Sequence, residues 1–172
     1  MALNAVSAFL QELTVIIRDA TPADAPEACD VLRASISELC AADHDKDPQI
    51  LKRWLANKTP ENIAAWIDDP SSSLLVAVEH DAILAVGSVR NSGEITLNYV
   101  VPRARFCGVS AALLKALEAR AVERGAARVT LHSTETAHRF YLSRGYRDEG
   151  APAGKFGTRG SYPMSKPLTS SA

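Results

Sequence analysis

LNYVVPRARFCGVSAALLKALEARAVERGAARVTLHSTETAHRFYLSRGY, residues 97–146, is the stretch whose reading decides the fold. Residues 97–101 read as the end of a strand. A tight loop, residues 105–110, then opens a helix whose Val109, Ala112, Leu113, Ala116, Leu117 and Ala121 recur at helical spacing. Gly125 suits the position just past the helix. Residues 127–132 form another strand, and residues 134–144 a short helix ended by Gly145. Strand, helix, strand implies a right-handed crossover and parallel pairing. At the loop, the first-turn N–H groups of the helix have no intrahelical partners, and the helix dipole adds positive charge there. Together they make an anion site suited to a phosphate or pyrophosphate.

Working upstream, residues 94–101, 83–89 and 74–78 form an antiparallel meander turned at His80-Asp81-Ala82 and Asn91-Ser92-Gly93. Before it lie three helix starts. Thr21-Pro22-Ala23-Asp24 opens a helix to about Cys40. Asp47-Pro48 and Thr59-Pro60 open two shorter ones, anchored by Trp54 and Trp66, and Pro70 ends the last. Residues 43–47 read as a polar loop and 15–18 as the first strand. Downstream, 146–149 begins a strand, 151–160 is an exposed Gly-rich loop, and 161–166 is a last strand that Pro163 assigns to an edge or bulge. Residues 1–13 read as a leader, 14–168 as a single domain and 169–172 as a loose tail.

At 172 residues the chain suits one domain with one substantial core. A net charge of −1 gives no electrostatic argument for nucleic acid or an anionic membrane. No apolar run approaches the roughly 20 residues a membrane span needs, and the N-terminus lacks a basic signal-peptide region. Cys29, Cys40 and Cys107 form neither a disulfide framework nor a metal motif. A reduced, cytoplasmic setting is expected.

The loop fails two common nucleotide patterns. GxxxxGK[ST] is absent, and residues 105–110 hold one Gly where a dinucleotide fingerprint needs three. What stands there is Val100-Val101-Pro102-Arg103-Ala104-Arg105-Phe106-Cys107-Gly108-Val109-Ser110. This resembles the cofactor motif of the GNAT family of N-acetyltransferases, V-x-P-x-x-(R/Q)-x-x-G-x-(G/A), with Ser110 a mild departure. Ala137-His138-Arg139-Phe140-Tyr141-Leu142-Ser143-Arg144-Gly145-Tyr146 resembles the family's second motif, A-x-x-F-Y-x-x-x-G-(F/Y). Two motifs in this order, separated by a helix and a strand, are a specific signal, and the element order from Val15 to Lys166 agrees.

The resemblance implies an α/β (α+β) GNAT fold: a mixed central sheet of about six to seven strands, mostly antiparallel with one parallel splayed pair, and helices on both faces. It implies acetyl-CoA as co-substrate and acetyl transfer to a primary amine of a small molecule or peptide by direct attack in a ternary complex. It also admits a homodimer. The pyrophosphate would sit on the N–H groups of Phe106, Cys107, Gly108, Val109, Ser110 and Ala111, with Arg105 beside it. The strand residues Asn98, Tyr99 and Val100 would pair with the pantetheine arm as an added strand does.

By the same resemblance Tyr141 is the general acid for the leaving thiolate. The strand glutamates that many members use as base are missing, so His132 is the candidate base, directly or through water. Thr134 stands where the family carries Asn, and would contact cofactor or cap a helix. Glu38 and His44 are the candidate acceptor contacts, with Asp43 between them. No metal is implied. The missing glutamate motivates a rival from another class, a non-catalytic acyl-CoA-binding or sensor module. A nucleotide-binding use of the loop is a third reading.

Overall fold

The computed structural model describes residues 14–169. The expected leader and all but the first residue of the expected tail lie outside them. Among the described residues, seven strands form one sheet in the order β1-β2-β3-β4-β5-β7-β6. They are β1 (Ile16–Asp19), β2 (Ser72–Glu79), β3 (Ala82–Arg90), β4 (Glu94–Val100), β5 (Arg128–Thr134), β6 (Arg147–Asp148) and β7 (Ser161–Pro167). Only β4 and β5 are parallel. The mixed sheet with one parallel pair is the architecture the sequence implies.

The helices are α1 (Ala25–Ala34), α2 (Ala41–His44), α3 (Pro48–Leu55), α4 (Pro60–Asp68), α5 (Val109–Glu123) and α6 (His138–Ser143). Local chemistry starts α3 and α4. The Asp47 carboxylate accepts from Gln49 N–H at 2.8 Å, and Thr59 Oγ1 accepts from Asn62 N–H at 3.2 Å, each with Pro in the first turn. The helix expected to reach Cys40 instead widens after Ala34 into a π turn, Ser35–Leu39. Such turns hold an extra residue and recur at functional sites.

α5 buries Val109, Leu113, Leu114, Leu117 and Ala121 on the sheet. Burying each large aliphatic chain is worth roughly 1.5–3 kcal/mol, so this face fixes the helix and the loop at its head. Arg120 sits at its edge, as its amphipathic stem suggests, and pairs with Asp19 at 2.8 Å.

Two expectations are corrected. Residues 43–47 are not all a solvated loop: Asp43 and His44 belong to α2 and are buried. β7 is not an edge strand but lies between β5 and β6. Pro163 is tolerated because its carbonyl accepts from Glu149 N–H at 2.8 Å, on the β6 side. Its missing N–H falls on that same side, and the ladder with β5 is intact. Among the described residues no helix is long and apolar enough to cross a membrane.

Candidate active site

β4 carries the site's central irregularity. Ser88 of β3 pairs with Leu97, and Val89 with Ile95, so Thr96 is an extra residue in β4. A bulge of this kind bends its strand and increases its twist. The parallel pairing with β5 covers only Glu94↔Thr130 and Ile95↔Leu131, after which the two strands part. Val101 N–H donates to Leu84 O at 2.8 Å. By strand alternation Tyr99 also turns its backbone groups toward β3, while Asn98 and Val100 turn theirs into the gap.

Two clefts open on this gap. The first, of about 450 Å³, follows β4 from the head of α5 to Tyr141 and reaches Ser35 and Leu39 of the π turn and Cys40 just after it. The second, of about 420 Å³, lies against α3 and the 151–160 loop. Gly87 faces α5, where an added Cβ would lie 2.8 Å from Leu117 Cδ1. Its neighbour Ser88, on the other face of the sheet, lines the second cleft. Residues 95–97, Tyr99 and 132–134 line both.

The loop ahead of α5 is built to leave donors free. A single turn, Pro102–Ala104, precedes it. Phe106 takes the left-handed φ of +64° and is 91% exposed, with the Arg105 guanidinium 4.6 Å from its ring centre. A non-Gly residue held so costs on the order of 1 kcal/mol or more, a strain that clusters at binding sites. Gly108 has φ +80°, and a Cβ there would meet nothing within 4 Å, so the space over it is open. The first bond at the head of α5 runs from Ala112 N–H to Gly108 O at 3.0 Å. The N–H groups of Val109, Ser110 and Ala111 precede it and point outward. Cys107 differs from expectation: its N–H goes to Ala104 O at 3.3 Å and its thiol to Arg105 O.

At the other end of the first cleft Tyr141 is buried. Its phenol oxygen accepts from Asn98 Nδ2 at 3.2 Å. Burial pushes the phenol up to about 12, and the Asn98 amide pulls part of the way back. Asn98 Oδ1 is buried with no partner. A buried carbonyl left unpaired costs about 1–3 kcal/mol, a cost the fold bears beside the Tyr141 phenol. His132 is exposed at the gap. Thr134 Oγ1 accepts from Ala137 N–H at 3.1 Å, which holds the start of α6. The Tyr99 ring packs with Ile36, Cys40 and Trp54, and burial raises its phenol and takes the Cys40 thiol up to about 12.

Glu38 and His44 are not brought to either cleft. Glu38 is exposed on the π turn. His44 is fully buried, its Nδ1 accepting from Lys46 N–H at 2.9 Å. Nε2 therefore carries the proton and donates to Ile36 O at 3.0 Å. Both ring nitrogens are spent on backbone. Asp43 beside it accepts from Glu135 N–H (2.6 Å), Thr136 N–H (3.3 Å) and Thr136 Oγ1 (2.6 Å), tying α2 to the segment between β5 and α6.

Two features escaped the sequence reading. The Asn98 side chain could have been found, since alternation puts a polar residue between Leu97 and Tyr99 on the opposite face of the sheet, the one Gly87 turns to α5. Lys58 carries no such signal. It follows α3, is 6% exposed, and lines the second cleft. Its Nζ donates to Asn57 Oδ1 at 2.7 Å. Burial, reinforced by Lys155, lowers its ammonium to about 8.

The acetyltransferase (GNAT) domain family matches residues 41–168. A GCN5-related N-acetyltransferase from Rhodopseudomonas palustris superposes with a TM-score of 0.79 at 26% identity, covering 89% of this chain and 95% of that one. The PaiA N-acetyltransferase from Thermoplasma acidophilum, in complex with coenzyme A, gives 0.79 at 16% identity, with 90% and 99% covered. YncA from Salmonella typhimurium, with its cofactor acetyl-CoA, gives 0.68 at 19%, with 92% and 96% covered. The last two, at such low identity, speak for the fold. No curated protein matches the chain.

Proposed function

Because the chain belongs to the acetyltransferase (GNAT) family, we propose that it moves the acetyl group of acetyl-CoA to a primary amine of a small molecule or peptide. Transfer is by direct attack in a ternary complex within one domain, residues 14–168. The observation that carries this reading is the gap. β4 and β5 part after two paired residues, and two clefts meet there with Tyr141 on one side.

The residues fit a CoA-type ligand. The open space over Gly108 and the outward N–H groups of Val109, Ser110 and Ala111 suit a pyrophosphate. The gap-facing backbone of Asn98 and Val100 suits an extended amide chain. Phe106 and Arg105 flank the phosphate end. Cys107 is the weakest member, since its N–H and thiol are turned to the loop.

Acetyl-CoA, when bound, supplies an activated thioester carbonyl. The chain's residues do the rest. A backbone N–H of the splayed part of β4, at Asn98 or Val100, would stabilise the developing negative charge. Tyr141, kept protonated by burial, gives its proton to the leaving thiolate, with Asn98 Nδ2 favouring the phenolate left behind. The attacking amine passes its proton to His132, directly or through water. One C–N bond forms, one C–S bond breaks, and both protons are placed.

Thiol release from acetyl-CoA across an amine panel tests the reading. Turnover with at least one amine is expected. Tight acetyl-CoA binding without turnover for every amine would instead support the non-catalytic sensor.

A further inference from the structure

The second cleft holds two ammonium groups, buried Lys58 and exposed Lys155, that have no carboxylate partner among the described residues. Lys58 is 6% exposed, yet among the described residues it enters no ion pair. Its Nζ lies 5.9 Å from the centre of the Phe156 ring, and Lys155 Nζ lies 5.4 Å from the same ring. Lys155 has no carboxylate partner among the described residues either. A buried ammonium with no anion is costly, and a second ammonium on the same ring adds repulsion.

The other charges on this cleft are engaged. Arg90 pairs with Glu94 at 3.4 Å. Asp69 accepts from Ser71 N–H at 2.9 Å and Ser71 Oγ at 2.7 Å. Lys58 and Lys155 therefore sit together at the α3 end, while the carboxylates sit with Ser72 and Arg90 at the other. Phe156, between the two lysines, is fixed by Arg53 Nε donating to its carbonyl at 3.0 Å. The two-lysine corner is thus held by α3 and by the loop laid across it.

We propose that the acceptor amine also carries a carboxylate, which Lys58 and Lys155 receive at the α3 end of the second cleft while the amine reaches the gap. Asn57 holds the Lys58 head in place. The carboxylate takes no part in bond changes; it positions the amine. The proposal rests on the acetyl-transfer reading of the same site. It names the acceptor as an amino acid or a peptide with a nearby free carboxylate, rather than a polyamine or an amino sugar. The physical reason is that a purely cationic acceptor would add charge to a corner already holding two unpaired ammonium groups.

The test compares amino acids with their own carboxamides on the full chain. Thiol release is followed, and concentrations are expressed as neutral amine so that basicity does not decide the outcome. Binding of each acid is measured separately by calorimetry. Acids are expected to be preferred at least tenfold in kcat/KM, chiefly through KM. Lys58→Met should erase most of that preference and Lys155→Met part of it, with Lys58→Arg retaining it. Lys52→Met, on the exposed face of α3, controls for net charge and should leave the preference unchanged. Carboxamides serving as well as acids, or a preference untouched by Lys58→Met, would overturn the proposal. Acids that bind in a Lys58-dependent way without turnover would uphold the carboxylate site and sink acetyl transfer. Neither turnover nor binding for any acid would overturn the site.

Discussion

Replacing Lys58 by Met should stabilise the ligand-free protein at neutral pH. Lys58 is lowered to about 8 from an ordinary 10.5. At about 1.4 kcal/mol per tenfold in proton affinity, keeping it charged in the fold costs roughly 3 kcal/mol. The variant loses the bond from Nζ to Asn57 Oδ1, worth about 1 kcal/mol. Met keeps an unbranched apolar stem in the same space. The net gain is about 2 kcal/mol, or roughly 4–8 °C in Tm for a domain of this size. The sign with pH follows from proton counts. Between about 8 and 10.5 the unfolded chain holds a proton on Lys58 that the folded chain lacks, so wild-type stability rises with pH across that window. Below about 8 the cost is constant, and above 10.5 it is gone. Urea unfolding of both proteins at pH 7 and pH 10 measures the difference directly, and other titrating groups cancel in the comparison. A variant less stable than wild type at pH 7, or a difference that does not shrink by pH 10, would refute the reasoning.

Three further outcomes are expected. Gly93→Ala should cost about 3 kcal/mol by chemical denaturation, because φ is +92° and the new Cβ would lie 2.4 Å from the Arg128 carbonyl; a loss under about 1 kcal/mol would contradict the close approach. Asp43→Asn leaves one oxygen for three donors on Glu135 and Thr136, so stability should fall by about 2 kcal/mol, and equal denaturation midpoints would show that the tie is not needed. Tyr141→Phe should cut turnover about 100-fold with acetyl-CoA affinity and fold nearly unchanged, and an undiminished rate would remove Tyr141 from the chemistry.

What was legible in the chain was local. Thr59 and Asp47 cap the helices their spacing announces, and residues 97–146 form the strand, loop, helix, strand and helix they spell, save that β5 runs on through Thr134 and the last helix starts only at His138. The loop's donors follow from Gly108 and the start of α5 alone. What was hidden depends on partners that only the folded chain brings into place, most of them far along it. Asp43 looks like a solvated acid until Glu135 and Thr136 close on it, some ninety positions away. His44 looks like a ligand until the turns around it consume both nitrogens. β7 looks like an edge because Pro163 lacks a donor, and only the arrival of β6 shows which side that absence falls on. Lys58 reads as an exposed lysine, since nothing nearby announces that Phe156 will cover it.

The shared wall between the clefts has a thermodynamic consequence. Residues 95–97, Tyr99 and 132–134 face both binding spaces, so a molecule that reorders them from one side alters the free energy of docking on the other. Linkage makes that coupling reciprocal: whatever factor the first ligand imposes on the second, the second returns to the first. Substitutions in the wall can therefore alter either affinity and the coupling between them. Those at Ser110 or at Lys58, each lining one cleft alone, are the ones that can separate them.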